Sequence, residues 1–288
     1  MTSTTGAIPI AVHPTESTRT PHPGLLFPAL SLCRRELVRF LRQRHRIIGA
    51  LATPIVFWLL IGGGMGRSFR APGTSDASSG NYLQFFFPGT ILMILLFTAI
   101  FSTISIIEDR REGFLQSVLV APVPRMAIVL GKVLGGTVLA FGQALLFLLL
   151  APTVGIHPPL AGLALAMLMM AIVAFSLTAL GFCIAWRMNS TQGFHAIMNL
   201  FLMPLWFLSG ALFPAEGAMG GLKWVMRANP LTYGLTGLRE AIYWGHSNGG
   251  ANATPGFAVC LIVSVAFAAA LFLLASAIAR SRAAGDFE

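Results

Sequence analysis

Charge is scarce in this 288-residue chain. Asp, Glu, Lys and Arg make up 10% of it, against about 25% in soluble globular proteins, which excludes an ordinary soluble domain. Acids are the rarer sign, 10 against 19 basic residues. All ten are expected in tails or loops, so the apolar runs hold essentially no ionisable side chain. Lys132 is expected at the inner end of the third run, where its amine can snorkel to the headgroups. A proton-coupled carrier needs a buried carboxylate or His, and an intramembrane hydrolase needs a nucleophile–base pair or metal ligands, so both classes are disfavoured. Cysteine is scarce too. Cys33, Cys183 and Cys260 lie too far apart for a metal motif or a disulfide framework and are expected free and buried. The six histidines show no H-E-x-x-H spacing. Gly131–Lys132 lacks the preceding Gly and the following Ser/Thr of a phosphate-binding loop. If ATP powers this chain, another chain binds it. No internal repeat is visible.

What the chain has instead is apolar length. It is 56% hydrophobic, with a mean hydropathy of +0.77. Runs near the ~20 residues needed to cross a bilayer recur at 47–66, 85–107, 133–154, 160–186, 196–213 and 256–279. In lipid such runs must be helices, because the backbone has no other way to satisfy its polar groups. The alternating ten-residue segments of a β-barrel are absent. The net charge of +9 would suggest nucleic acid in a soluble protein, but here its distribution is topological. Fourteen of the 19 Lys and Arg fall on the side of the N-terminus, and Arg67, Arg70, Lys223, Arg227 and Arg239 on the other. The positive-inside rule then puts both termini in the cytoplasm of a plasma (inner) membrane protein, with no nucleic-acid partner.

Residues 1–24 read as a disordered tail, 25–282 as one six-span domain and 283–288 as a second short tail. No cleavable leader is evident. Within 29–46, Leu30, Cys33, Leu37, Phe40 and Leu41 cluster on one side of a helix, with Arg35, Arg39, Arg42 and Arg46 opposite. This is an interfacial helix attracted by anionic membrane lipid, and it has the alternative of also touching a soluble partner. Pro54 and Pro204 are expected kinks. Gly131, Gly135 and Gly136 allow close packing, and Gln143 and Asn199 are expected to bond between helices. The long outer segment 214–255 carries Asn229–Pro230, a cap followed by proline in the first turn. Leu231, Leu235, Leu238 and Ile242 follow at helical spacing, with Trp224, Tyr233, Tyr243 and Trp244 suited to headgroup depth. Short helices that dip into or lie on the outer leaflet are expected across 215–245.

The most distinctive stretch is EDRREGFLQSVLVAPVPR, 108–125. Its charge cluster ends at Gly113, which frees the backbone to bend. Phe114, Leu115, Val118 and Leu119 share one helical face, and Pro122 and Pro124 prevent continuation. That face has no span to pack into, so it is expected against lipid headgroups or a soluble partner.

The run 111–132 resembles the cytoplasmic coupling segment of ABC transporter type-2 permeases, with Glu112, Gly113, Phe114, Leu115, Val118, Leu119, Pro122 and Arg125 as its elements. FLSGALFP, 207–214, with Ser209, Gly210 and Pro214, followed by ANPLTYGLTGLREAI, 228–242, with Asn229, Pro230, Tyr233 and Arg239, resembles the same family's outer signature. The likeness is nearest to the daunorubicin-resistance-like drug-exporter branch, although Phe114 stands where a small hydroxyl residue is common. It implies an all-α membrane protein with six transmembrane helices, an N-terminal interfacial helix, a cytoplasmic coupling helix and outer re-entrant helices. It further implies two permease copies, or one and a close homologue, and two separate ABC ATPase subunits. ATP and Mg would sit on those partners, with no cofactor or metal in this chain and no catalytic residue. Substrates implied are hydrophobic drugs, lipids or lipid-linked glycans. The alternative reading is a stand-alone secondary transporter or channel.

Overall fold

The computed structural model describes residues 24–65, 82–120, 123–213, 220–245 and 255–281, and every regular element among them is a helix. In chain order the α-helices are α1 (Leu26–Arg42), α2 (Arg44–Met65), α3 (Tyr82–Ser102), α4 (Ile104–Arg111), α5 (Phe114–Val120), α6 (Arg125–Leu148), α7 (Leu160–Ala185), α8 (Thr191–Phe207), α9 (Gly220–Ala228), α10 (Pro230–Ile242) and α11 (Phe257–Ser281), with a short 3-10 turn at Ala151–Val154. The expected tails, most of the 67–84 loop, Pro122 and Pro214 lie outside the described residues, as do the side chains of Arg46 and Leu119.

Among the described residues five stretches are long and apolar enough to cross a membrane: Ile47–Gly64, Tyr82–Arg111, Arg125–Leu148, Leu160–Ala185 and Phe257–Ser281. The expected 196–213 run is instead the 17-residue α8, which starts earlier, at Thr191, and stops at Phe207. Ser190 caps it by accepting from the Gly193 amide at 3.2 Å, satisfying one of the orphan donors of a helix start.

Helices run past two other apolar runs read from the sequence. The second apolar stretch continues through α4 to Arg111, and α6 begins at Arg125, eight residues before the 133–154 run. In both extensions the polar residues beyond the apolar run find partners within the chain.

α3 lies at the centre, in contact with α2, α6, α7 and α10, and its Phe86, Phe87, Ile91, Leu92, Ile94, Leu95 and Leu96 are fully buried. Pro54 and Pro204 fall inside α2 and α8 as expected, and Pro88 sits inside α3. Proline has no amide to donate to the carbonyl four residues earlier. In α3 that carbonyl belongs to Gln84, and the Tyr243 hydroxyl donates to it at 2.8 Å. α1 packs along α6, where an added Cβ at Gly131 would sit 2.7 Å from the Ala29 carbonyl oxygen and one at Gly135 2.9 Å from Glu36 Cβ. The glycines therefore allow the close approach read from the sequence. Gln143 accepts from Thr98 at 2.5 Å between α6 and α3. Asn199 does not follow suit: it lies on the exposed face of α8 with Gln192 and His195. The three cysteines are free and buried.

Candidate functional site

Two polar clusters stand out, one at each end of the helices. The first is built on the charge run 108–112. α4 carries Glu108 and Asp109 on the side facing α1, and Asp109 is fully buried. Arg35 grips it with two parallel bonds, Nη2 to Oδ1 at 2.8 Å and Nη1 to Oδ2 at 3.0 Å. Arg39 reaches the same Oδ1 at 2.7 Å, Glu108 at 3.0 Å and Glu112 at 3.2 Å. From α6, Lys132 bonds Glu36 at 2.5 Å and also pairs with Asp109. Two-pronged guanidinium–carboxylate pairs are among the stronger polar contacts in proteins. Bonding to Asp109 holds the Arg35 guanidinium above its ordinary range, and the same guanidinium lies 3.5 Å above the Phe114 ring.

This geometry corrects the sequence reading in four places. Lys132 does not snorkel; it is 5% exposed, in the third turn of α6, and it is paired. Not every acid is in a tail or loop, since Glu36 and Asp109 are buried within helices. Arg35 and Arg39 face carboxylates, whereas Arg42 is exposed as expected. The buried face of α1 is Ala29, Leu32, Cys33 and Glu36, with Leu30 and Leu41 exposed. Aliphatic pattern pointed to Leu30 and Leu41, but contact with α6 needs small residues opposite its glycines.

The arginines of the run turn the other way. Arg110 donates to the Trp186 and Met188 carbonyls at 2.6 and 3.2 Å and to the Asn189 side chain at 3.0 Å. Arg111 donates twice to the Asn189 carbonyl, at 3.1 and 2.8 Å. Arg125 caps the end of α11 through the carbonyls of Ala279 and Arg280, at 3.3 and 3.4 Å. Five consecutive charged residues thus fasten α1 on one side and the α7–α8 turn on the other. No spacing in the sequence announced those carbonyl partners.

α4 ends at Arg111 with Glu112 as its cap, and Gly113 takes φ +76°, a left-handed conformation that closes a helix at little cost only for glycine. α5 then leaves in a new direction. Its apolar side does find a place within the chain: Leu115 is buried, and Phe114 and Val118 pack against the core. The expectation that this face had no span to pack into is therefore replaced. The opposite side of α5, Gln116, Ser117 and Val120, is exposed, Val120 at 85%.

The second cluster holds no acid and a single cation, Arg239. Asn229 accepts from the Leu231 amide at 3.0 Å, ahead of Pro230 in the first turn of α10, as the sequence predicted. Its Nδ2 also donates to the Leu205 carbonyl at 2.8 Å. Thr232 bonds the carbonyls of Met226 and Leu208 at 2.6 and 3.3 Å, and Arg239 reaches that of Gly210 at 3.5 Å while lying 4.4 Å from the Phe85 ring centroid. Gly210 has φ +85° and Ser209 is buried, its hydroxyl on the Trp206 carbonyl at 2.6 Å. Trp206 in turn donates to the Gly89 carbonyl at 2.9 Å. The end of α8 leaves carbonyls without intrahelical partners, and α10 supplies donors for them. The two separated sequence motifs are thus one clamp. Tyr233, next along α10 from Thr232, is half-buried. Burial pushes the Tyr243 hydroxyl up to about 12.

Among the described residues no group of His, Cys, Asp and Glu is arranged to hold a metal. The sequence profile of the family described as ABC-2 type transporter matches residues 29–243. The chain belongs to the ABC-2 type transporter family. Both clusters of this permease fall within the matched stretch, apart from the α11 carbonyls that Arg125 caps. A transport permease named ycf38 from Cyanophora paradoxa is 28% identical over 210 residues, covering 72% of this chain and 71% of that one. The daunorubicin resistance ABC transporter permease protein DrrB1 of Streptomyces coeruleorubidus is 23% identical over 212 residues, 73% of this permease and 72% of DrrB1. YbhR of Escherichia coli, named as a multidrug ABC transporter permease, is 28% identical over 164 residues, 57% of this chain and 44% of its own.

Proposed function

We propose that this permease is the membrane half of an ATP-driven exporter, in which the 108–112 run passes the movement of a docked ATPase to α1, α6 and α8. The observation that carries the reading is the double attachment of that run, by acids to α1 and Lys132 and by arginines to the α7–α8 turn. α5, hung from it across Gly113, presents Gln116, Ser117 and Val120 outward, and this is the face that meets the ATPase. α8 serves as the sixth span. Its 17 residues, about 25 Å at 1.5 Å per residue, suffice with flanking turns. The termini and α5 lie in the cytoplasm, in accord with the 14-to-5 Lys and Arg asymmetry, and α9 and α10 dip into the outer leaflet.

A second copy, or a close homologue, completes the path. Gln192, His195 and Asn199 form an exposed polar line on α8, and polar side chains inside a membrane face other protein or a water-filled cavity. Two ATPase subunits hold ATP and Mg. The names of DrrB1 and YbhR favour a hydrophobic drug as cargo, with lipid or lipid-linked glycan as further classes.

The stand-alone carrier gains one point, since buried carboxylates do exist. Asp109 and Glu36, however, are ion-paired at the end of the helices and not aligned along a path. The test is co-purification. Val120→Asp, which alters only an exposed position, is expected to cut recovery of the ATPase about tenfold or more at normal permease abundance. Recovery equal to wild type would remove α5 as the docking element.

A further inference from the structure

Once Arg35 and Arg39 are assigned to carboxylates, two arginines of α1 are left over. Arg34 and Arg42 are exposed and make no hydrogen bond or ion pair with any described residue. They line a groove of about 680 Å³ with Ser31, Val38, Gln43 and the outer edges of Arg35, Arg39 and Glu112. That volume falls in the range of small-molecule sites, about 300–1,000 Å³. Eight residues separate Arg34 from Arg42, about 12 Å along a helix, so two extended side chains can converge on one group between them. Both face outward on the same side of α1, whereas the acids near them are already engaged.

The neighbouring stripe of α1 decides what that group belongs to. Leu26, Phe27, Leu30 and Leu41 are 58–80% exposed and adjoin the groove on its Arg34 side. An acidic protein surface would satisfy the arginines but leave this apolar shelf in water. A phospholipid satisfies both, with its phosphodiester between the guanidinium groups and its acyl chains along the leucines. Arginine suits phosphate through its planar fork of donors. We infer that the groove binds the phosphodiester headgroup of one anionic phospholipid per chain, a discrete site distinct from diffuse attraction to the surface. This rests on the proposed placement of α1 at the cytoplasmic face. An occupied site also lowers the repulsion of Arg34 and Arg42 on Arg35 and Arg39, and so favours the grip of α1 on Asp109.

The permease alone, without ATPase, is purified and titrated with phosphatidylglycerol or phosphatidylcholine, and bound lipid is counted by native mass spectrometry. Wild type is expected to hold one phosphatidylglycerol that neither phosphatidylcholine nor millimolar inorganic phosphate displaces. The double variant Arg34→Gln/Arg42→Gln is expected to bind it about thirtyfold more weakly, two surface charges having been lost. Val38→Glu, which leaves every arginine in place but puts a carboxylate in the groove, is expected to do the same and stands in if the double variant does not fold. No preference for phosphatidylglycerol, or retention of it by both variants, overturns the site. Displacement by free phosphate overturns a lipid as the occupant. A fluorophore on Leu30→Cys, quenched by a headgroup-borne quencher, reports the placement separately. Quenching without lipid preference refutes the site and leaves the placement standing, whereas absence of quenching refutes both.

Discussion

The two ends of the helix bundle are tied by opposite chemistry. At the end built on Glu108–Glu112, cationic side chains share buried carboxylates, and Asp109 alone has three cationic partners. At the other end neutral or singly charged side chains donate to carbonyls that α8 leaves open. The first arrangement is costly to break one partner at a time, because each loss leaves a buried charge uncompensated. The second loses one ordinary hydrogen bond at a time. An element that must move as a unit benefits from the first kind of joint; a segment that has only to be closed off at a helix end needs no more than the second.

The largest effect expected from this contrast is at Asp109. Asp109→Ala leaves Arg35, Arg39 and Lys132 sharing too few acids, a loss of about 3–5 kcal/mol. It is expected to lower the thermal midpoint of the detergent-purified permease sharply and to reduce its abundance in membranes. A midpoint within experimental error of wild type would break the contrast from the charged end.

Asn229→Ala, at the other end, removes a helix cap and one donor to Leu205, about 1–2 kcal/mol. The expected result is a clearly smaller fall in midpoint than for Asp109→Ala, with full membrane abundance. An equal or larger fall would mean that the carbonyl clamp is the stiffer joint.

The smallest effect concerns Glu240, whose carboxyl burial raises from its ordinary value of 4.5. The neutral form is favoured in the folded protein, so this contribution to stability is fully present below pH 4.5 and is lost as pH rises through the raised value. Glu240→Gln should therefore stabilise the permease at pH 7.5 and make little difference at pH 4. The difference in midpoint between those two pH values reads the effect directly, and a gain confined to the acid side would reverse the assignment.

Much of this was legible in the sequence, and the misses share a cause. The apolar runs, Asn229 as a cap and the bend at Gly113 depend on near neighbours along the chain, where local pattern is informative, while the glycines of α6 announced a close approach without naming α1 as its partner. The partners of charges depend on packing. Reading apolarity ended the second run before Glu108 and began the third after Lys132, and so set both outside the helices that hold them. Arg35 and Arg39 looked like lipid-facing residues, because helical periodicity says which residues share a face but not what that face meets. The Phe114–Leu115–Val118 side was legible as apolar, yet its burial within the chain was not. The joining of FLSGALFP to ANPLTYG was present only as two motifs in order, since side chain to carbonyl bonds across 24 residues leave no spacing rule.

The central claim is that α5 and α1 move as one body because the charge run welds them. Spin labels at Ser31 on α1 and Ser117 on α5, both exposed, in a background with the three buried cysteines replaced, report their separation in the permease–ATPase complex by double electron–electron resonance. The separation is predicted to be the same without nucleotide and with ATP held unhydrolysed, while a pair from Ser117 to Leu222 on α9 shifts between those states. A change in the Ser31–Ser117 distance on nucleotide binding, with the pair to Leu222 fixed, would contradict the account.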